Sequence, residues 1–171
     1  MKKIHVLIVD DSPLMQAWLK KILSADPEVG EVTVSQNADE ARMSLQTKRP
    51  DVITLDVEMP GMDGVSFLKE IMSTYLLPVV MVSAYTKENC QTTIKALSLG
   101  AVDFISKPGP GLEEEKEAFP QRLMAKVKEA AQARTVSPLS VSSSPFYRQG
   151  METGRRSFLE VQGSVIGIGA S

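Results

Sequence analysis

Cysteine and histidine, the side chains most used for thiol, acid–base and metal chemistry, each occur only once in this 171-residue chain. A lone thiol, Cys90, excludes an intramolecular disulfide. Its setting among helix-favouring residues reads as a small buried side chain in a protein of the reducing cytosol. The lone histidine, His5, lies inside an apolar run and reads as a structural strand residue. Charge of one sign is also lacking: the net charge is −2 and the pI about 5.5, so no global basic field recommends the surface to nucleic acid. No apolar run approaches the ~20 residues that span a bilayer, which excludes membrane insertion. The start, MKKIHVLIVDD, carries an apolar run of six residues that ends in two acids, too short for a signal-peptide core. What remains is a cytoplasmic protein whose partner is another protein.

Apolar residues make up 43% of the chain and charged residues 23%, enough to fill a core. The length allows one domain of roughly 100 to 150 residues plus a tail. Residues 4–9 form a first strand, after which Ser12 offers an N-cap and Pro13 suits the first helical position. Leu14, Trp18, Leu19, Ile22 and Leu23 give that helix an apolar stripe. Residues 31–35 read as a more polar strand. Asn37, three residues ahead of Glu40, has the spacing of a capping box for a helix running to about Lys48.

The organising stretch is PDVITLDVEMPGMDG, residues 50–64. Val52 to Leu55 run without alternation into Asp56, and a turn follows, the pattern of a strand buried on both faces whose carboxyl end opens onto a loop. A third helix follows on Val65, Phe67, Leu68, Ile71 and Met72, and a fourth strand on residues 78–82. Thr86 can cap a fourth helix, with Cys90, Ile94 and Leu97 on its buried face and Gly100 stopping it. Residues 101–106 make a fifth strand. Glu113 to Glu117 read as a solvated acidic face, and the fifth helix is expected to start at Pro120.

Five strands alternating with helices predict an α/β fold, a doubly wound parallel sheet covered on both faces. The flavodoxin-like order 2-1-3-4-5 follows, because the second strand is the most polar and alone does not end in a candidate site residue, as an edge strand should. The other four strands end in Asp10 and Asp11, Asp56, Ser83 and Lys107. Three carboxylates in one crevice would repel by ~4 kcal/mol per pair at ~4 Å and an effective dielectric of 20. A hard divalent cation together with Lys107 balances them. All-oxygen ligation by Asp10, Asp11, Asp56 and the backbone carbonyl of Glu58 suits Mg²⁺. A carboxylate so placed beside a lysine and a hydroxyl can accept a phosphoryl group. Asp56 would be the nucleophile, with Lys107 and Ser83 stabilising the phosphoryl oxygens.

On DD at 10 and 11, D at 56, MPGMDG at 59–64, S at 83 and KP at 107 and 108, residues 1–132 resemble a two-component receiver domain of the CheY-like fold. The resemblance implies phosphorylation of Asp56 by a histidine kinase and a cis bond before Pro108. It also implies a switch in which Phe104 turns inward as Ser83 shifts toward the phosphoryl group. Residues 133–163, Ser- and Pro-containing and without apolar periodicity, read as a flexible linker. Residues 164–171, SVIGIGAS, look like a fresh strand entering a glycine turn.

Receiver, linker and VIGIGAS together resemble the chemotaxis methylesterase response regulators, the CheB family, with Ser171 at the position of the nucleophilic serine. That family hydrolyses glutamyl methyl esters and deamidates glutamines on chemoreceptor cytoplasmic domains. Its receiver covers the catalytic domain until phosphorylated. The resemblance implies a fragment without the catalytic histidine and aspartate, unable to hydrolyse esters by itself. Two alternatives stand beside it: a stand-alone receiver acting as a phospho-switched binding module, and a dinucleotide-binding turn opening at GIGAS.

Overall fold

The computed structural model describes residues 2–84 and 89–133. Among them, strands and helices alternate as β1 (Ile4–Val9), α1 (Pro13–Ser24), β2 (Val29–Ser35), α2 (Ala38–Thr47), β3 (Val52–Asp56), α3 (Gly64–Thr74), β4 (Val79–Ala84), α4 (Asn89–Ser98), β5 (Asp103–Lys107) and α5 (Glu113–Gln132). Every strand pair is parallel and the order is β2-β1-β3-β4-β5, as the strand-end pattern predicts. The expected Thr86 cap, the Cys90 side chain, the linker beyond residue 133, the 164–171 strand and Ser171 lie outside the described residues.

Burial follows strand parity. Leu7, Val9, Ile53, Leu55 and Met81 face a core closed by α2, α3 and α4 through Ala41, Phe67, Ile71 and Ala96. Val6, Ile8, Val52, Val80 and Ile105 face the opposite core, closed by α1 and α5 through Leu19, Leu23, Phe119 and Leu123. Both faces of β3 are therefore covered and all five of its residues are buried, which is why its sequence does not alternate. Edge strand β2 keeps two exposed and three half-buried positions.

Local capping starts the helices where the sequence suggests. Ser12 Oγ accepts from the Met15 N–H at 3.4 Å, and Asn37 Oδ1 from the Glu40 N–H at 2.9 Å. The reciprocal arm of the expected capping box falls one residue early, with the Glu40 carboxylate accepting from the Gln36 N–H at 2.8 Å.

Three expectations are corrected. The fifth helix starts at Glu113, and Pro120 lies inside it. Three glutamates in the first turn sit at the positive end of the helix dipole. Phe119, fully buried, stacks on Trp18 with ring centroids 4.8 Å apart. That burial offsets the hydrogen bond that proline cannot make. The fourth helix is turned over: Ala96 is its core residue, while Ile94 and Leu97 are 67% and 45% exposed. Leu14, expected in the first stripe, is 82% exposed at the start of α1.

Helices α2 and α3 are tied by a two-point ion pair. Arg42 Nε and Nη2 donate to the two Glu70 oxygens at 2.7 Å each, with the guanidinium 5.6 Å from the Phe67 ring centroid. The Arg42 hydrogen bond holds the Glu70 carboxyl below its usual range. The stabilisation is thus complete above the unfolded-state pKa of Glu70 and is lost as pH falls through its depressed folded-state value. Glu70→Ala is expected to cost about 1 kcal/mol at neutral pH, and nothing in acid, in urea unfolding.

Candidate functional site

Sheet order alone places the site. With β1 and β3 adjacent at the point where strand order reverses, their carboxyl ends flank one crevice, and β5 reaches it from beyond β4. Asp56, the last residue of β3, is buried. Its Oδ1 accepts from the Glu58 N–H at 3.2 Å, and its Oδ2 from Lys107 Nζ at 2.7 Å. Asp10 is 1% exposed; its Oδ1 accepts from the Ser12 N–H at 2.9 Å, and the Gln16 amide donates to its backbone carbonyl. Lys107 Nζ also lies 2.8 Å from Asp10 Oδ2, forming a second ion pair. Asp11 is exposed beside them.

Burial pushes the Asp56 carboxyl above its usual range. Lys107 opposes the rise, the Asp10 charge adds to it, and the Glu58 N–H opposes it. Burial also works against the Lys107 charge, but its contacts with Asp10 and Asp56 outweigh it and raise the ammonium. Carboxylate oxygens of Asp10, Asp11 and Asp56 lie within 4.8 Å of one another. Three such oxygens fit a hard oxygen-seeking cation, since a single lysine leaves the group short of positive charge. The crevice is an open cavity of about 820 Å³ whose lining includes Asp11, Asp56, Glu58 and Lys107.

Four of the residues read from the sequence, Asp10, Asp11, Asp56 and Lys107, are thus brought together. Ser83 lies one residue beyond Val82, the register partner of Asp56. It is fully buried, and its hydroxyl donates to the Ala84 carbonyl at 3.3 Å, with Ala84 on the crevice wall. Phe104 is half-buried against the core closed by α2, α3 and α4, on the side that strand parity assigns it. The expected cis bond before Pro108 is corrected: no peptide bond among the described residues is cis. Trans is the lower-energy isomer even before proline, by about 0.5–1 kcal/mol. His5 sits at the opposite, amino-terminal end of the sheet, its Nε2 2.9 Å from Thr33 Oγ1.

Sequence reasoning missed Asp63, whose Oδ1 caps α3 at the Ser66 N–H at 3.0 Å and which borders the crevice. It also missed Thr92 and Lys95, which α4 contributes to the same wall. The Asp-Gly pair before the apolar run was a signal for the cap. Nothing marks Lys95 apart from its spacing of three from Thr92.

Residues 6–116 match the response regulator receiver domain family. The chain is 47% identical over 131 residues to the protein-glutamate methylesterase/protein-glutamine glutaminase 2 of Pseudomonas aeruginosa, covering 77% of this chain and 38% of the relative. To the protein-glutamate methylesterase/protein-glutamine glutaminase 1 of Xanthomonas campestris it is 42% identical over 172 residues, covering 98% and 48%. The chain therefore spans less than half the length of these relatives. Among solved structures it is similar to the response regulator domain of Thermotoga maritima CheB, with a TM-score of 0.69 and 38% identity over 77% of this chain and 98% of that one. It is also similar to the receiver domain of NtrX from Brucella abortus, with a TM-score of 0.64 and 30% identity over 75% and 98%. With a matching family domain over most of its folded part and the sheet order and strand-end carboxylates on the page, the chain belongs to the response regulator receiver family.

Proposed function

We propose that Asp56 accepts a phosphoryl group from a chemotaxis-type histidine kinase, and that in the longer parent protein this step controls a methylesterase and glutaminase acting on chemoreceptor cytoplasmic domains. The observation that carries the reading is the meeting of Asp10, Asp11, Asp56 and Lys107 at one crevice. An ionised Asp56 oxygen attacks the donor phosphorus, the phosphorus–nitrogen bond of the phosphohistidine breaks, and the bonding pair leaves with the imidazole, which takes up a proton. Asp10, Asp11, Asp56 and the Glu58 carbonyl would hold a Mg²⁺ ion, which when bound supplies positive charge for the phosphoryl oxygens. Lys107 keeps Asp56 ionised before transfer and neutralises a phosphoryl oxygen after it. Ser83 exchanges its hydrogen bond to the Ala84 carbonyl for one to the phosphoryl group, and Phe104 follows inward.

The outward Ile94 and Leu97 of α4 give the receiver an apolar surface to lay against its catalytic domain. Driving such a covered state from 1:99 to 99:1 requires ~5.5 kcal/mol of differential stabilisation. In this reading the nucleophile is Ser171, and its base and acid belong to the parent beyond this chain. This chain therefore does not hydrolyse esters. The site of action is the cytoplasm. No helix among the described residues is long and apolar enough to cross a membrane.

Incubation with acetyl phosphate and a Mg²⁺ salt is expected to add one phosphoryl increment to the intact mass of the wild-type chain and none to Asp56→Asn. Equal labelling of both would move the acceptor elsewhere.

A further inference from the structure

The outward turn of Ile94 and Leu97 places a different pair, Thr92 and Lys95, on the inner wall of α4, where both line the cavity that holds Asp56 and Lys107. The other charged residues described at the mouth are acidic. Asp11, Glu58 and Asp63 are all exposed there, around the buried Asp56. Among the described residues only two cations line this cavity, and they are differently placed. Lys107 lies inside, held at 2.7 and 2.8 Å by Asp56 and Asp10. Lys95 is exposed, and no carboxylate among the described residues lies within 4.0 Å of its ammonium. Its field still reaches the crevice: Asp63 is held below the usual carboxylate range first by its Ser66 hydrogen bonds and, more weakly, by the Lys95 charge.

A phosphodonor must bring its own negative charge past this rim. A cation bound by Asp10, Asp11 and Asp56 is largely cancelled by them, and Lys107 is engaged within, so neither offsets the repulsion from Glu58 and Asp63 at the entrance. We propose that Lys95 is a positioning residue for the incoming phosphodonor, an α4-borne cation that draws the anionic group over the acidic rim toward Asp56. The role rests on Asp56 being the acceptor. It acts on the rate of phosphoryl gain and leaves the chemistry at Asp56 to the groups inside.

The test is the rate of phosphoryl gain by intact mass, with acetyl phosphate as the dianionic donor and phosphoramidate as the donor of smaller net charge. Lys95→Gln is expected to slow acetyl phosphate labelling about three- to fivefold at low salt, and phosphoramidate labelling less. The difference should vanish in about 1 M salt, where the Debye length is about 3 Å. Lys95→Arg should keep the wild-type rate. A structural role for Lys95 would instead slow both donors alike at every salt concentration, which overturns the proposal, as does a Lys95→Gln rate equal to wild type at low salt. A wild-type chain that gains no phosphoryl mass removes the acceptor role of Asp56 itself and this inference with it, a different failure from the first two.

Discussion

Replacing Gly64 by alanine is expected to lower the unfolding free energy of the chain by about 3 kcal/mol or more, a fall in Tm of roughly 10 °C. A Cβ built on Gly64 would stand 1.9 Å from the backbone oxygen of Asp56, and 2.9 Å from both the Asp56 carbonyl carbon and the Val57 Cα. Backbone cannot step aside as a flexible side chain does. Helix α3 would have to lift off the end of β3, breaking the 2.9 Å bond from the Gly64 N–H to the Val57 carbonyl and loosening buried Phe67, Leu68 and Ile71. The site would suffer with the fold, because the displaced atoms belong to Asp56. Gly61 supplies the control. Its φ is +88° and a Cβ there meets nothing within 4 Å, so Gly61→Ala carries backbone strain of only about 1 kcal/mol. Equal costs at the two positions, in urea unfolding, would show that the close approach at Gly64 does not exist.

The Asp56→Asn variant should be more stable than wild type, by about 1 kcal/mol or more at neutral pH without added metal. Two full charges about 5 Å apart at an effective dielectric of about 20 repel by about 3 kcal/mol, and the crevice holds three carboxylates against one lysine. Part of that gain is offset by the lost charge-assisted bond to Lys107. The sign follows from linkage. Burial raises the Asp56 pKa in the folded chain, so the folded state holds that proton more tightly than the unfolded state. Ionising Asp56 therefore costs stability as pH rises, and the cost is absent below the unfolded-state value near 3.9. The gap between variant and wild type should close in acid.

Mg²⁺ should act in the opposite sense. Binding to the folded wild type adds about 2.7 kcal/mol at a hundredfold excess over Kd, and much less to Asp56→Asn, which has lost a ligand charge. An Asp56→Asn chain less stable than wild type at neutral pH would mean that Lys107 overcompensates the carboxylates.

How far the sequence could be read depended on which force shaped each stretch. The ends of β1 and β3 were legible because strands covered on both faces carry apolar runs, so that Asp10 and Asp56 stand out as interruptions. The order of the sheet followed from the polarity of β2, which lies at an edge. Helix α4 was misread because its inner wall faces a crevice as well as the core. Thr92 and Lys95 line that crevice and Ala96 packs into the core, leaving the apolar periodicity of Ile94 and Leu97 to face solvent.

Pro120 misled for a related reason. A proline is the expected first residue of a helix, and only the stacking of Phe119 on Trp18, a contact 101 residues apart, explains a helix that runs through it. Gln16 left no trace in the pattern either. A polar residue on a helix is solvated by default, and its buried bond to the Asp10 carbonyl emerges only in three dimensions.

The most direct measurement is chemical. An acyl phosphate, unlike a phosphoserine, is reduced by borohydride to an alcohol, which converts a phosphorylated aspartate to homoserine at a position that peptide mass spectrometry can assign. After acetyl phosphate and Mg²⁺ treatment, the account predicts that conversion at Asp56 and at no other acid, suppressed when a chelator removes the metal. Conversion at Asp10 or Asp11 instead, or a phosphate that survives borohydride on Ser83, would contradict it.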